Sequence, residues 1–114
     1  MIVVTRVLEL VQPTGNIKIP VRVFAPVERD TDEWSCTFEI EWPEKKETKT
    51  LHGVDAVQAL QAAFMIIGVV IYNSDHHASG NLMWYQPGSG YGFPVMENMR
   101  DQMVGLDKEL WWRA

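Results

Sequence analysis

Apolar and polar residues alternate strictly in the segment "WSCTFEIEW", residues 34–42. This period of two is typical of a strand that buries one face and exposes the other. The apolar positions are Trp34, Cys36, Phe38, Ile40 and Trp42, and the polar positions between them are Ser35, Thr37, Glu39 and Glu41. The pattern predicts an antiparallel sheet with one face on the core.

Other β-rich runs extend this sheet. Residues 2–11 and 17–25 are separated by the turn formers of "QPTGN", so they predict a hairpin. A more polar strand is predicted over residues 46–52, and "NLMWYQ", residues 81–86, predicts a fifth strand. Between the second and third strands, the segment "PVERDTDE", residues 26–33, is predicted to be an acidic loop.

The period changes at Asp55, which with Gln58 has the spacing of an N-terminal capping box. A helix is therefore predicted from there to about Tyr72, with the alternative that it ends at Gly68 and that "VVIY" begins a strand. Its main apolar stripe is predicted to be Val57, Leu60, Phe64, Ile67 and Ile71. The other faces of this helix are also apolar, so one sheet cannot cover it all round.

A second helix is predicted near the end of the chain, where apolar residues recur at spacings of three and four. These residues are Met96, Met99, Met103, Leu106 and Leu110. The order of elements predicts a single domain, residues 1–114, of the α+β class. We expect an antiparallel β-sheet of about five strands, one central helix packed across it and a C-terminal amphipathic helix.

Composition narrows the class of protein. Hydrophobic residues make up 46% of the 114 residues and charged residues 22%, which is the balance of a folded chain. The net charge of −5 argues against nucleic acid as a partner. The N-terminal residues do not predict a signal peptide, so we expect a cytoplasmic protein. Residues 56–74 are uncharged but too short in their strongly apolar part to predict a membrane span.

The helix start also carries a resemblance to known sequences. Residues 53–68, "GVDAVQALQAAFMIIG", are followed by a tryptophan-bearing strand and by Gly92, Phe93 and Pro94. This pattern, over roughly the second half of the chain, resembles an uncharacterised family of small bacterial proteins. The resemblance implies a bacterial origin and a shared fold, and it supplies no catalytic residues.

Asp75, His76 and His77 follow the predicted central helix and are the first candidates for chemistry. In an extended segment, neighbouring side chains point to opposite sides, so His76 and His77 would not bind one metal together. The remaining histidine, His52, precedes the same helix and is expected to lie at its opposite end. We therefore interpret these residues as a polar turn and expect no metal and no cofactor, with a metal or catalytic role as the alternative.

Cys36, the single cysteine, excludes an internal disulfide. It shares the apolar strand face with Trp34 and Phe38, which favours a small core residue over a nucleophile. The segment "GSGYG", residues 88–92, could hold a phosphate with backbone amides, but it lacks the lysine of a phosphate-binding loop. A glycine-bearing turn is the preferred interpretation.

Two groups of residues are candidates for protein contacts. The acidic group of the loop comprises Glu28, Asp30, Asp32 and Glu33. It is either a solvated surface or a patch that attracts a basic protein partner. Trp111 and Trp112 are adjacent on the predicted second helix, so both cannot face one core, and one is expected at a subunit contact.

The main hypothesis is a non-enzymatic protein-interaction module of the bacterial cytoplasm, of an immunity or accessory type, that forms a homodimer. One or both helices are expected at the dimer contact. One alternative is a small metal-dependent hydrolase that uses the turn of Asp75, His76 and His77. Another is a small-ligand-binding domain whose pocket, between sheet and helix, is lined by Trp34, Trp42 and Trp84.

Overall fold

The computed structural model describes residues 1–94 together with Val104 and Gly105. In chain order the elements are β1 (Ile2–Leu10), β2 (Ile17–Phe24), β3 (Val27–Asp30), β4 (Glu33–Glu41), β5 (Lys46–Gly53), α1 (Ala56–Tyr72), α2 (Asp75–Ala78) and β6 (Leu82–Met83). An antiparallel sheet of six strands with one main helix packed across it confirms the α+β class. The predicted second helix and Trp111 and Trp112 lie outside the described residues.

The strand order is β3-β4-β2-β1-β6, and β5 pairs with β4. β4 therefore has β5 along one edge, while its other edge is shared by β2 and β3. Val23 of β2 pairs with Phe38, and Val27 of β3 pairs with Ser35. Ala25 and Pro26 separate the two strands, and Pro26 has no backbone N–H to continue the pairing.

The sixth strand, β3, corrects the prediction of an acidic loop over residues 26–33. Val27 and Glu28 pair with Ser35 and Trp34, and the register shifts between Glu28 and Asp30. The segment closes a hairpin instead of crossing the surface as a loop. The hydrophobic period alone cannot predict β3, because every side chain in this strand is exposed and its composition is acidic.

The core of the sheet is formed by the predicted apolar face of β4 and its neighbours. Cys36, Phe38 and Ile40 are at most 1% exposed, and Trp42 is buried as well. The matching side chains of β2 are Ile19, Val21 and Val23, which are also at most 1% exposed. Complete burial of such side chains contributes roughly 1.5–3 kcal/mol each to stability.

α1 begins at Ala56, as the sequence predicts. Asp55 Oδ1 accepts a hydrogen bond from Gln58 N at 2.8 Å, and Gln58 Oε1 accepts one from Val54 N at 2.7 Å. Two amides at the helix start are thereby satisfied. The helix continues through Gly68 to Tyr72, so the alternative of a strand after Gly68 is wrong.

The buried stripe of α1 differs from the predicted one. It contains Ala59, Ala63, Ile67 and Ile71, whereas Val57 is 64% exposed. The prediction favoured large side chains, but small ones allow the backbone to approach closely. A Cβ atom placed on Gly53 would lie 2.5 Å from the backbone nitrogen of Ala59, so the end of β5 and the start of α1 are in contact at the backbone level.

The chain divides into two compact units. Residues 1–7 and 19–64 form the first unit, with the start of β1, β2 from Ile19 onwards, β3 to β5 and the start of α1. Residues 8–18 and those from 65 onwards form the second, with the end of β1, the rest of α1, α2 and β6. β6 contains only Leu82 and Met83, so the predicted strand over residues 81–86 is shorter than expected.

Candidate functional site

The predicted polar turn at Asp75, His76 and His77 is one turn of helix, α2. Ser74 caps it, because its Oγ accepts a hydrogen bond from His77 N at 3.1 Å. The expectation of an extended segment is therefore wrong, and a serine before an aspartate is the local signal for such a cap. Among the residues that the structure describes, no group of three His, Cys, Asp or Glu could hold a metal ion.

His77 lies in an aromatic cluster with Tyr72 and Tyr91, which the sequence analysis did not single out. The ring centroids of His77 and Tyr72 are 4.7 Å apart, those of Tyr72 and Tyr91 5.3 Å, and those of His77 and Tyr91 5.5 Å. All three pairs have edge-to-face geometry. Tyr72 and Tyr91 are buried, and Val104 N donates a hydrogen bond to the Tyr72 hydroxyl at 3.2 Å.

A short hydrogen bond fixes one ring nitrogen of His77. Its Nδ1 lies 2.5 Å from the Tyr91 hydroxyl, and that hydroxyl lies 3.4 Å from the carbonyl oxygen of Leu82. Burial lowers the pKa of His77, which favours the neutral ring at neutral pH. A neutral, oriented imidazole is able to transfer protons, yet a reaction also needs a nucleophile or electrophile in contact with it. We therefore interpret the aromatic cluster primarily as a packing interaction.

Cys36 has the environment of a structural residue. It is 1% exposed, and its Sγ donates to the carbonyl oxygen of Phe24 at 3.4 Å. Burial raises the pKa of this thiol, so the protonated, unreactive form predominates at neutral pH. In the "GSGYG" segment, Gly88, Gly90 and Gly92 all have positive φ, as a glycine turn requires.

The four candidate carboxylates lie together on the β3–β4 hairpin. Glu28, Asp30, Asp32 and Glu33 are exposed, and Asp32 at the turn has a φ of 54°. None of these four forms a salt bridge with a residue in the described part of the chain. Glu39 and Glu41, in contrast, contact Arg22 at 3.1 and 3.3 Å. Although Arg29 lies among them, the four carboxylates give the hairpin a net negative charge, and we call residues 28–33 the acidic hairpin.

The first half of β1 is the second distinctive surface. Ile2, Val3, Val4 and Val7 are 47%, 45%, 45% and 42% exposed, although a strand in a sheet usually buries one face. β6 pairs only with Glu9 and Leu10, at the far end of β1. We call residues 2–7 the open segment of β1. Four large apolar side chains in six positions are an unusual amount of exposed apolar surface for one short segment.

An open groove of about 380 Å³ lies on the sheet face opposite the core side chains of β4. Its floor includes Ser35, Thr37 and Glu39, and Phe24 and Arg29 also line it. Arg29 Nε donates to Ser35 Oγ at 2.9 Å, which orients the guanidinium group. The break between β2 and β3 leaves this space beside β4.

This groove is not the pocket that the sequence predicts between the sheet and the helix, because Trp34, Trp42 and Trp84 do not line it. For two of these three expected lining residues, Trp42 and Trp84, the structure shows a side-chain contact. Trp42 is buried and donates from Nε1 to Glu47 Oε1 at 3.0 Å. Trp84 packs against Tyr85 with ring centroids 4.8 Å apart, and Trp34 is half-buried on β4.

No helix in the described part of the chain combines the length and the apolar character that a bilayer crossing requires. The comparison with family models matches residues 4–95 to the Domain of unknown function (DUF6968), so the chain belongs to that family. The resemblance to an uncharacterised family is confirmed at this level, over more of the chain than the motifs covered. The comparisons with curated proteins and with solved structures gave no match.

Proposed function

We propose that this member of a family of unknown function is a non-enzymatic protein-interaction module that self-associates. The observation that carries the proposal is the open segment of β1, where Ile2, Val3, Val4 and Val7 remain exposed. A strand edge with apolar side chains is a template for pairing with another chain, and stable monomers usually protect such edges. A partner that covers this segment removes apolar surface from water.

The acidic hairpin supports a second contact, with a basic protein. Its four carboxylates lack ion pairs with described residues, so their field extends into solvent, where it accelerates encounter with a positively charged surface. Attraction of this kind decreases with ionic strength. We propose that the module acts in the bacterial cytoplasm as an immunity or accessory protein. Trp111 and Trp112 are further candidates for the protein contact.

Self-association is tested by light scattering over a range of protein concentrations. We expect a mass of twice the 13.1 kDa chain at micromolar concentration. A monomer mass at every concentration would contradict self-association.

The acidic hairpin is tested with an oligolysine peptide as a probe, titrated at low and high salt. Replacing Glu28, Asp30, Asp32 and Glu33 by their amides should weaken binding by about tenfold at low salt. A matched control carries the same four amide changes at Glu97, Asp101, Asp107 and Glu109. Equal weakening in both variants would show that net charge, and not the hairpin, determines binding.

The groove favours a small-ligand-binding domain as the second candidate function. Arg29 supplies a cation beside the apolar side chain of Phe24, so a carboxylate with a short apolar chain is the matching chemistry. Octanoate is a suitable probe in an NMR titration. Shifts at the groove that are lost in Arg29→Gln would favour this function, and the absence of saturable shifts would exclude this ligand class.

A further inference from the structure

We infer that the groove beside β4 binds the C-terminal end of a basic protein chain. Arg29 holds the terminal carboxylate, the last side chain packs against Phe24, and the preceding basic residues lie over the acidic hairpin. This inference rests on the interaction function proposed above, because it names the part of the basic partner that is recognised and the residue that recognises it.

The guanidinium group of Arg29 is anchored on one side and open on the other. Its Nε donates to Ser35 Oγ at 2.9 Å, and Ser35 is only 2% exposed, so the anchor belongs to the buried sheet. Within the described part of the chain, Nη1 and Nη2 of Arg29 have no hydrogen-bond or salt-bridge partner. Two N–H donors on a planar, oriented group match the two oxygens of a carboxylate.

Arg22 shows how this sheet satisfies an arginine that has a structural role. Its Nη1 and Nη2 contact Glu39 and Glu41 at 3.1 and 3.3 Å. Arg29 has the four carboxylates of the acidic hairpin near it in sequence, yet it forms a salt bridge with none of them. The guanidinium group of Arg29 is therefore available to an external anion.

The charges around the groove select the kind of anion. Arg29 is the one cationic side chain among the described residues that line the groove. Glu39 lies about 13 Å from Ser35 along β4. It is compensated by Arg22 and by Lys46 at 4.0 Å, so it does not attract a further cation. The acidic hairpin repels a dianion such as a phosphate monoester, whereas it attracts a single carboxylate that is accompanied by basic groups.

The apolar wall of the groove favours a chain end. Phe24 and Val27 line the groove together with Arg29, and Val27 pairs with Ser35 in the sheet. The volume of about 380 Å³ is near the lower end of the range for ligand pockets, so a terminal residue fits better than a helix. In such a residue the carboxylate, the side chain and the preceding chain diverge from one Cα atom. A terminal carboxylate on Arg29 and an apolar side chain on Phe24 leave the preceding residues over the hairpin.

Paired peptides that differ only at the C-terminus test the carboxylate contact. An acetylated pentapeptide of four lysines and a terminal leucine is titrated into the full chain by NMR, once with a free carboxylate and once as the amide. We expect the free acid to bind about tenfold more tightly. Net charge alone predicts the opposite order, because the free acid carries less positive charge and the protein is acidic.

Matched variants locate this contact. Arg29→Gln and Lys45→Gln each remove one positive charge from an exposed position. The preference for the free acid should vanish in Arg29→Gln and persist in Lys45→Gln. Arg29→Lys keeps the charge but loses the planar pair of donors, so its preference should fall to about threefold. Spectra of the free variants verify that they are folded.

A terminal glycine in place of the leucine tests the apolar wall. The free acid should then bind about fivefold more weakly, and the shifts at Phe24 and Val27 should be lost. Unchanged affinity would overturn the placement of the last side chain in the groove.

The other outcomes separate this inference from the function on which it rests. Equal affinity of free acid and amide overturns the inference but leaves the contact between the acidic hairpin and a basic protein intact. A preference that persists in Arg29→Gln also overturns it, because the carboxylate then binds elsewhere.

Octanoate distinguishes a chain end from a free small carboxylate. If octanoate displaces the free-acid peptide and binds more tightly than the peptide, the inference is overturned in favour of the small-ligand function. Binding of neither peptide overturns the inference together with the basic-partner contact, whereas light scattering tests self-association separately.

Discussion

At the scale of single residues, the contact between His77 and Tyr91 couples a titratable ring to a buried hydroxyl. When the imidazole is neutral, either atom of the 2.5 Å pair is able to donate. When it is protonated, Nδ1 must donate, and the Tyr91 hydroxyl is left to donate to the carbonyl oxygen of Leu82. Protonation therefore reorganises the cluster and places charge beside buried rings.

This coupling predicts a pH dependence of stability. The lowered folded-state pKa of His77 means that the unfolded chain binds the proton more tightly. The resulting loss of stability is absent above the ordinary histidine pKa of about 6.5 and develops as the pH falls below it. Urea unfolding at about pH 7.5 and about pH 5.5 should show a smaller pH effect in His77→Asn than in the unmodified chain. An equal effect in both would contradict the assignment to His77.

Cys36 gives a second prediction for a single residue. Because its side chain is closed to solvent and its pKa is raised, a maleimide reagent should label it slowly in the folded protein and completely in denaturant. Thr14→Cys in the exposed turn provides the control, since its additional thiol should react at once. Rapid labelling of native Cys36 would contradict the strand register of β4.

At the scale of elements, α1 shows how one side chain stabilises a helix start. Gln58 and Gln61 are both exposed glutamines in the first two turns, but only Gln58 accepts a hydrogen bond from Val54 N. The two residues are a matched pair for measuring the capping interaction, because the same substitution at both sites changes helix propensity equally.

We expect Gln58→Ala to lower the free energy of unfolding by about 0.5–1.5 kcal/mol, since it leaves the Val54 amide without its partner. Gln61→Ala should change it by less than about 0.5 kcal/mol. Chemical denaturation with both variants measures the difference. Equal effects at the two positions would mean that the bond to Val54 does not contribute.

These elements differ in how far the sequence predicts them. The alternation of β4 and the cap of α1 are local patterns, so they are visible in a few consecutive residues. The predicted stripe of α1 agrees with the buried one at Ile67 and Ile71 but wrongly includes Val57, because side-chain size is visible in the sequence and the close approach of Gly53 to Ala59 is not. β3 was missed because an exposed strand on a hairpin has no buried period to detect.

The candidate surfaces show the same division. The acidic hairpin is identifiable from composition, since its carboxylates are near neighbours in sequence. The open segment of β1 is not, because its exposure depends on which strand lies beside it and on how short β6 is. Tyr91 is 14 residues from His77, and only the folded chain brings them together.

At the scale of the whole molecule, the two compact units share elements. β1 and α1 each begin in the first unit and end in the second. A strand or helix that loses half of its length loses hydrogen bonds that stabilise the other half. The units are therefore not expected to unfold independently.

We predict a single unfolding transition, with coincident curves from far-UV circular dichroism and tryptophan fluorescence. For a self-associating chain, the midpoint temperature should also rise with protein concentration, because association stabilises the folded state by mass action. Two separated transitions would contradict the coupling through β1 and α1. A midpoint independent of concentration would argue against self-association.

The open segment of β1 has a consequence for handling the protein. Residues 2–8 are synthesised before β2 exists, and they combine high β-propensity with a single charge and no proline. During refolding, an exposed apolar strand of one chain is able to pair with other unfolded chains in arbitrary number. Dilute refolding should therefore yield more recoverable protein than concentrated refolding, and Val3→Lys/Val7→Lys should reduce this difference.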